Sequence, residues 1–151
     1  MARDISAGLY GTKDLTVGDC IPCGSLTVTT EHIDRFAELT GDRFEIHKSK
    51  DAAKRHGFDD RVAHGLLVLS LIDGMKNQAP AQIRSRASMG WDWTFRRPVL
   101  AGDTITVVFD ITDINEARSA DQAILTLDFT VTNQRGAIVQ TGTNRLLAYR
   151  G

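Results

Sequence analysis

Val62-Ala63-His64-Gly65-Leu66-Leu67-Val68-Leu69-Ser70-Leu71-Ile72-Asp73-Gly74-Met75 is apolar on almost every side, whereas a surface helix carries its apolar residues on one stripe. A helix of this composition is buried. It is too short and too interrupted to cross a membrane, so the rest of the chain has to supply the surface that covers it.

The C-terminal half offers that surface. Ala87–Arg97, Thr104–Ile114, Ala123–Thr132 and Ala137–Tyr149 are strand-like stretches in which apolar and polar residues alternate. Pro98 and the turn Ala101-Gly102-Asp103 follow the first, and Asn115-Glu116-Ala117-Arg118 and Asn133-Gln134-Arg135-Gly136 join the others. Connections this short predict an antiparallel sheet. On the N-terminal side, beyond an arm holding Leu15-Thr16-Val17-Gly18-Asp19, Thr29 or Thr30 offers a helix cap. Ile33, Phe36, Ala37 and Leu39 then follow helical spacing up to Gly41. Lys50–His56 reads as a second short helix stopped by Gly57. The expected architecture is α+β, a single domain over residues 1–151 in which a curved antiparallel sheet wraps around one long buried helix.

Bulk properties narrow the function. The 151 residues are 42% hydrophobic, and 18 Lys and Arg against 19 Asp and Glu give a net charge of -1. No global field recruits nucleic acid or a membrane surface, so an anionic ligand needs a local basic patch. The N-terminus has no apolar run of signal-peptide type, and a cytoplasmic location is expected. Cys20 and Cys23 are the two cysteines of the chain. A structural zinc takes four ligands and a redox pair of this spacing opens a helix. The pair is therefore expected to be reduced thiols in a turn, with no metal.

Thr40-Gly41-Asp42-Arg43-Phe44-Glu45-Ile46-His47 is the stretch suited to chemistry. An imidazole that titrates near neutrality beside a carboxylate can activate water and exchange a proton at carbon. A capping Asp and a solvated His are the plainer alternative. In Val62-Ala63-His64-Gly65, a glycine opens the apolar helix, where outward-facing amides favour negative charge. The Gly65 amide is thus a candidate donor to a carbonyl oxygen that gains charge, and close helix packing is its ordinary explanation.

These segments, with Phe95-Arg96-Arg97-Pro98-Val99-Leu100-Ala101-Gly102-Asp103-Thr104, resemble the MaoC-like dehydratases, which include the (R)-specific enoyl-CoA hydratases. The resemblance spans nearly the whole chain. It implies the hot-dog fold, and hydration or dehydration of an acyl thioester carried on coenzyme A or an acyl-carrier protein, with no other cofactor. It implies Asp42 and His47 as the catalytic pair, the Gly65 amide as oxyanion donor, and Val62, Ala63, His64 and Leu66 near the thioester. Arg96 is placed where a basic side chain meets phosphate or pantetheine, as is Arg97. It further implies a homodimer, or a higher homo-oligomer, with sites at the interface.

The family motif commonly reads Gly-Asp-x-Asn-Pro-x-His, and here Phe44 and Glu45 replace Asn and Pro. The change adds apolar surface and a negative charge beside the pair. It makes Phe44 a candidate substrate contact and an altered substrate the expectation. Trp91 and Trp93 share one strand face and are read either as core or as lining of a shortened acyl pocket. A thioesterase and a non-catalytic thioester-binding protein are the rival readings.

Overall fold

The computed structural model describes residues 3–116 and 121–151. Two short strands, β1 (Arg3–Asp4) and β2 (Gly8–Tyr10), lead through a 3-10 turn at Thr12–Asp14 into β3 (Asp19–Thr27). Helix α1 (Thr30–Thr40) is capped by Thr29. Its hydroxyl accepts from the His32 amide at 3.2 Å, while the His32 ring accepts from the Thr29 amide at 3.0 Å. Gly41 ends the helix at φ 81°, a conformation that costs glycine little. Then come α2 (Glu45–Lys48), α3 (Lys50–Arg55), α4 (Gly65–Lys76), β4 (Ala81–Ile83), β5 (Ser85–Phe95), β6 (Thr104–Glu116), β7 (Gln122–Thr132) and β8 (Ile138–Tyr149).

The main sheet runs β1-β3-β6-β7-β8-β5, leaving β5 on an edge. Its long strands pair antiparallel, as the short connections predict. The sheet as a whole is mixed, because β1 lies parallel to β3, and β2 forms a separate parallel pair with β4. Both departures belong to the N-terminal arm, which reaches its partners without a hairpin. Inward residues alternate along β6 and β7 (Val107, Phe109, Ile111; Leu125, Leu127, Phe129, Val131), and Leu67, Val68, Ile72 and Met75 of α4 join the same core. Truncating Ile72 or Phe129 to Ala would cost about 2–5 kcal/mol.

Three details depart from the sequence reading. Helix α4 begins at Gly65, since Val62 bridges Leu100 in extended form and the Ala63 amide donates to the Val99 carbonyl at 2.7 Å. The helix is not covered on all sides: Leu66 is 61% exposed and Ser70 is open, on the stripe shared with half-buried Leu69 and Asp73. The cysteines lie in strand β3 rather than a turn, around a bulge between Pro22 and Ser25, where proline lacks the N–H a ladder needs. They are buried, unpaired thiols; burial first of all pushes Cys20 up to about 12 and Cys23 up to about 11. Of the two readings of Trp91 and Trp93, the packing agrees with core: they meet edge to face at 5.5 Å, and both contact Phe129 at the core margin.

The connection expected at Asn115-Glu116-Ala117-Arg118 lies partly outside the described residues. The turn at Asn133 is as expected: its side-chain oxygen accepts from the Arg135 and Ala137 amides. No helix among the described residues is long and apolar enough to cross a membrane.

Candidate active site

The segment after Gly41 is not the irregular loop its sequence suggests. It turns once through Asp42, whose carboxylate accepts from the Phe44 amide at 3.3 Å, and then forms α2, a single helical turn that carries His47. His47 is 8% exposed, and its Nδ1 lies 2.6 Å from the Val62 carbonyl. A carbonyl can only accept, which assigns the proton to Nδ1 and leaves the Nε2 lone pair free. Burial pushes the imidazole below its ordinary pKa, against an opposing pull from the Val62 carbonyl; His64 adds to the lowering. A neutral His47 with a free Nε2 is suited to accept a proton.

His64 caps the entrance to α4 and is 3% exposed. Its Nε2 donates to the Asp42 carbonyl at 2.9 Å, so it ties the Asp42 turn to the start of the buried helix. Its ring stacks on His47 at 3.8 Å and 21° and meets Phe36 at 4.9 Å. Nδ1 is buried without a hydrogen-bond partner among the described residues. Each of Asp42, His47 and His64 offers a possible ligand atom, all within 4.8 Å of one another. Near-parallel stacking nevertheless keeps the in-plane lone pairs of the two rings from converging on one ion.

Gly65 holds the first position of α4, where an amide has no partner within the helix. A Cβ there would fall 2.3 Å from the outer atoms of the Phe95 ring, so the ring packs directly on the bare Cα. The two explanations of Gly65 are compatible. Exposed apolar side chains flank the region: Leu66, Phe95 at 53%, and Phe44 at 52%, whose ring lies 6.2 Å from that of His47 in a T-shaped arrangement.

The substituted pair in the motif is accommodated locally. Glu45 does not place a bare charge on His47. It bonds the His56 ring at 2.7 Å and approaches Arg55 at 3.7 Å, and the His56 bond chiefly holds its carboxyl below the usual range. Phe44 meets the same His56 ring at 5.7 Å.

Asp42, Phe44, His47, Val62, His64 and Gly65 are thus gathered together. Val62 and Ala63 are buried, and Val62 enters through its carbonyl. Arg96 stands apart, exposed, with its Nε bonded to Thr141 at 3.0 Å. Two supports escaped the sequence reading. Arg61 donates to the His47 carbonyl at 2.7 Å and pairs with Asp34, fixing α2 from behind. Gln140, 2% exposed, accepts from the Trp93 indole at 2.8 Å and reaches the Gly65 carbonyl at 3.4 Å. A polar residue at an inward position of β8 was the available sign for Gln140; an arginine before Val62 gives none.

Comparison with known proteins bears on the family and the fold. Residues 22–133 match the family described as MaoC like domain. The (R)-specific enoyl-CoA hydratase of Aeromonas caviae is 31% identical over 109 residues, 71% of this chain and 76% of that protein. The 3-hydroxybutyryl-CoA dehydratase of Methylorubrum extorquens is 32% identical over 90 residues, 58% of this chain and 55% of that protein. A solved monoamine oxidase regulatory protein from Archaeoglobus superposes with a TM-score of 0.87 at 31% identity, over 97% of this chain and 99% of that one. A Mycobacterium tuberculosis protein described as a double hotdog fold matches with a TM-score of 0.80 at 16% identity, over 93% of this chain and 44% of that one, which speaks to fold alone.

Proposed function

This chain belongs to the MaoC-like domain family and has its hot-dog fold, and on that premise we propose that it hydrates an enoyl thioester or dehydrates the corresponding 3-hydroxyacyl thioester. The relatives named as hydratases and dehydratases support the reaction class. The observation that carries the assignment to particular residues is His47, buried, with Nδ1 held by the Val62 carbonyl and Asp42 close by, in surroundings that lower its pKa.

In the hydration direction, Asp42 and His47 hold the water between them, and His47 Nε2 takes its proton as the oxygen bonds the β-carbon. Charge gathering on the thioester oxygen is met by the Gly65 amide at the positive end of α4. The pair then returns a proton to the α-carbon, so that H and OH are added in balance. Leu66 and Phe44 supply apolar walls, and Arg96 offers a cation to the carrier. The open stripe of α4 and the edge strand β5 support a homodimer with each site completed by the second copy.

Asp42→Asn keeps the size of the side chain and removes the carboxylate. It should lower turnover of crotonyl-CoA at least a hundredfold with an unchanged circular dichroism spectrum. Wild-type rates in the variant would remove Asp42 from the mechanism. Following free thiol in the same assay separates hydrolysis from hydration, because hydration consumes the enoyl absorbance without releasing coenzyme A.

A further inference from the structure

Gln140 is a buried polar residue that packing alone does not call for. It is 2% exposed and stands in register between Val131 of β7 and Phe95 of β5, on an inward face where β7 contributes Val131, Phe129 and Leu127 to the core. A leucine would fill such a place with no polar group to satisfy. Its carboxamide is held in one sense. The Trp93 indole N–H can only donate and reaches Oε1 at 2.8 Å, which turns the NH2 end toward the Gly65 carbonyl, where it donates at 3.4 Å. Gly142 makes room for the first of these bonds. It lies opposite Trp93 in the ladder, and a Cβ there would collide with the indole and with the Asp92 carbonyl. Strands β5 and β8 thus direct one amide group at the first peptide of α4.

The Gly65 carbonyl belongs to the same peptide unit as the Leu66 amide. Gly65 and Leu66 are the first two residues of the helix, and their N–H groups have no acceptor within it. A hydrogen bond received by a peptide carbonyl fixes the plane of that peptide and strengthens its N–H as a donor. The Gly65 amide already has this support, because the Val68 N–H donates to the His64 carbonyl at 3.1 Å. We propose that Gln140, aimed by Trp93, is a positioning residue that holds the Gly65–Leu66 peptide, so that the Leu66 amide joins the Gly65 amide as a second donor to the thioester oxygen. Charge developing on a carbonyl oxygen is best met by preorganised donors that need not move during the reaction. Gln140 acts only through that peptide, since its own side chain is closed off from the site.

The inference rests on the hydratase reading above, and the test separates the two. Gln140→Leu, Trp93→Phe and the double variant are compared with wild type on crotonyl-CoA. Trp93→Phe keeps a ring against Phe129 and removes the indole N–H, while the double variant removes donor and acceptor together and strands neither in the core. Gln140→Leu should lower kcat about tenfold with KM within about twofold. Trp93→Phe should lower kcat about threefold, because the carboxamide is then free to turn. The double variant should match Gln140→Leu, since both changes act through one peptide. In all three the acid limb of kcat/KM, which reports His47, should stay at its wild-type position. A double variant with wild-type kcat overturns the proposal, because the loss in Gln140→Leu then comes from a stranded indole. An unchanged kcat in Gln140→Leu, or single losses that multiply in the double variant, overturns it as well. If wild type hydrates no enoyl thioester, the hydratase reading fails, and nuclear magnetic resonance of the free protein then decides whether Gln140 holds the peptide. An upfield shift of the Leu66 amide nitrogen in Gln140→Leu and in the double variant, with Asp42 unmoved, supports the hold, and an unmoved Leu66 resonance sinks it.

Discussion

In the proposed mechanism, His47 sets the pH behaviour of the site. Its pKa is lowered from 6.5, first by burial, and as proton acceptor it works in the neutral form. The acid limb of kcat/KM is therefore expected below pH 6.5, and a profile from pH 4.5 to 8 checks it; a limb centred at or above 6.5 would contradict the assignment. Stability follows the same sign. Between the depressed folded value and 6.5 the unfolded chain binds a proton that the folded chain does not, so His47 makes stability fall as pH drops through that window. Glu45 acts with the same sign in a more acidic window: its carboxyl is depressed chiefly by the His56 bond, and that support is lost as pH falls through its own folded value. Asp42 and His47 could be picked out as candidates because their residue types announce proton chemistry, and the fold brings them together. The Val62 carbonyl and Arg61 could not be, because a backbone acceptor has no residue type and a salt bridge to Asp34 spans 27 positions.

At the scale of elements, α4 fills the core and begins at Gly65, whose amide the proposed mechanism uses. The steric conflict created by Gly65→Ala is with the outer atoms of an exposed Phe95 ring, not with backbone, so the ring can swing aside. The expected result is a stability change within about 1 kcal/mol by thermal unfolding, accompanied by a tenfold or greater loss of hydration as the added methyl crowds the amide. Full activity in Gly65→Ala would dissociate the helix start from catalysis. Legibility here followed periodicity. Helix α1 could be read from Thr29 to Gly41 because capping residues bracket a 3.6-residue pattern, and the strand pairs β6–β7 and β7–β8 because alternation and turn residues agree. Helix α2 has four residues and no period to show, and Pro22 with Gly24 hid β3 by breaking its alternation.

The whole molecule still exposes what a finished core would cover. Leu66 at 61% and Phe44 and Phe95 above 50% cluster around the candidate site, Leu39 at 83% lies just before the Asp42 turn, and β5 ends the sheet with an unpaired edge. Isolated exposed apolar residues are ordinary, but a group of them beside an open strand edge and a half-covered helix has the composition of an interface core. The homodimer proposed above would account for α4 reading as buried on all sides from its sequence and yet keeping one stripe open, with a second copy of the chain as the cover. A stable pair would bury roughly 800 Å² on each copy, and a charge at Leu66 would sit near its middle. Leu66→Glu should leave the fold of each chain intact, because the side chain touches solvent in the single copy. It should also shift sedimentation from dimer to monomer and lower hydration at least tenfold, as the substrate loses the wall the partner provides. Wild-type protein that sediments as a monomer at assay concentrations while turning over crotonyl-CoA would show instead that one chain completes the site alone.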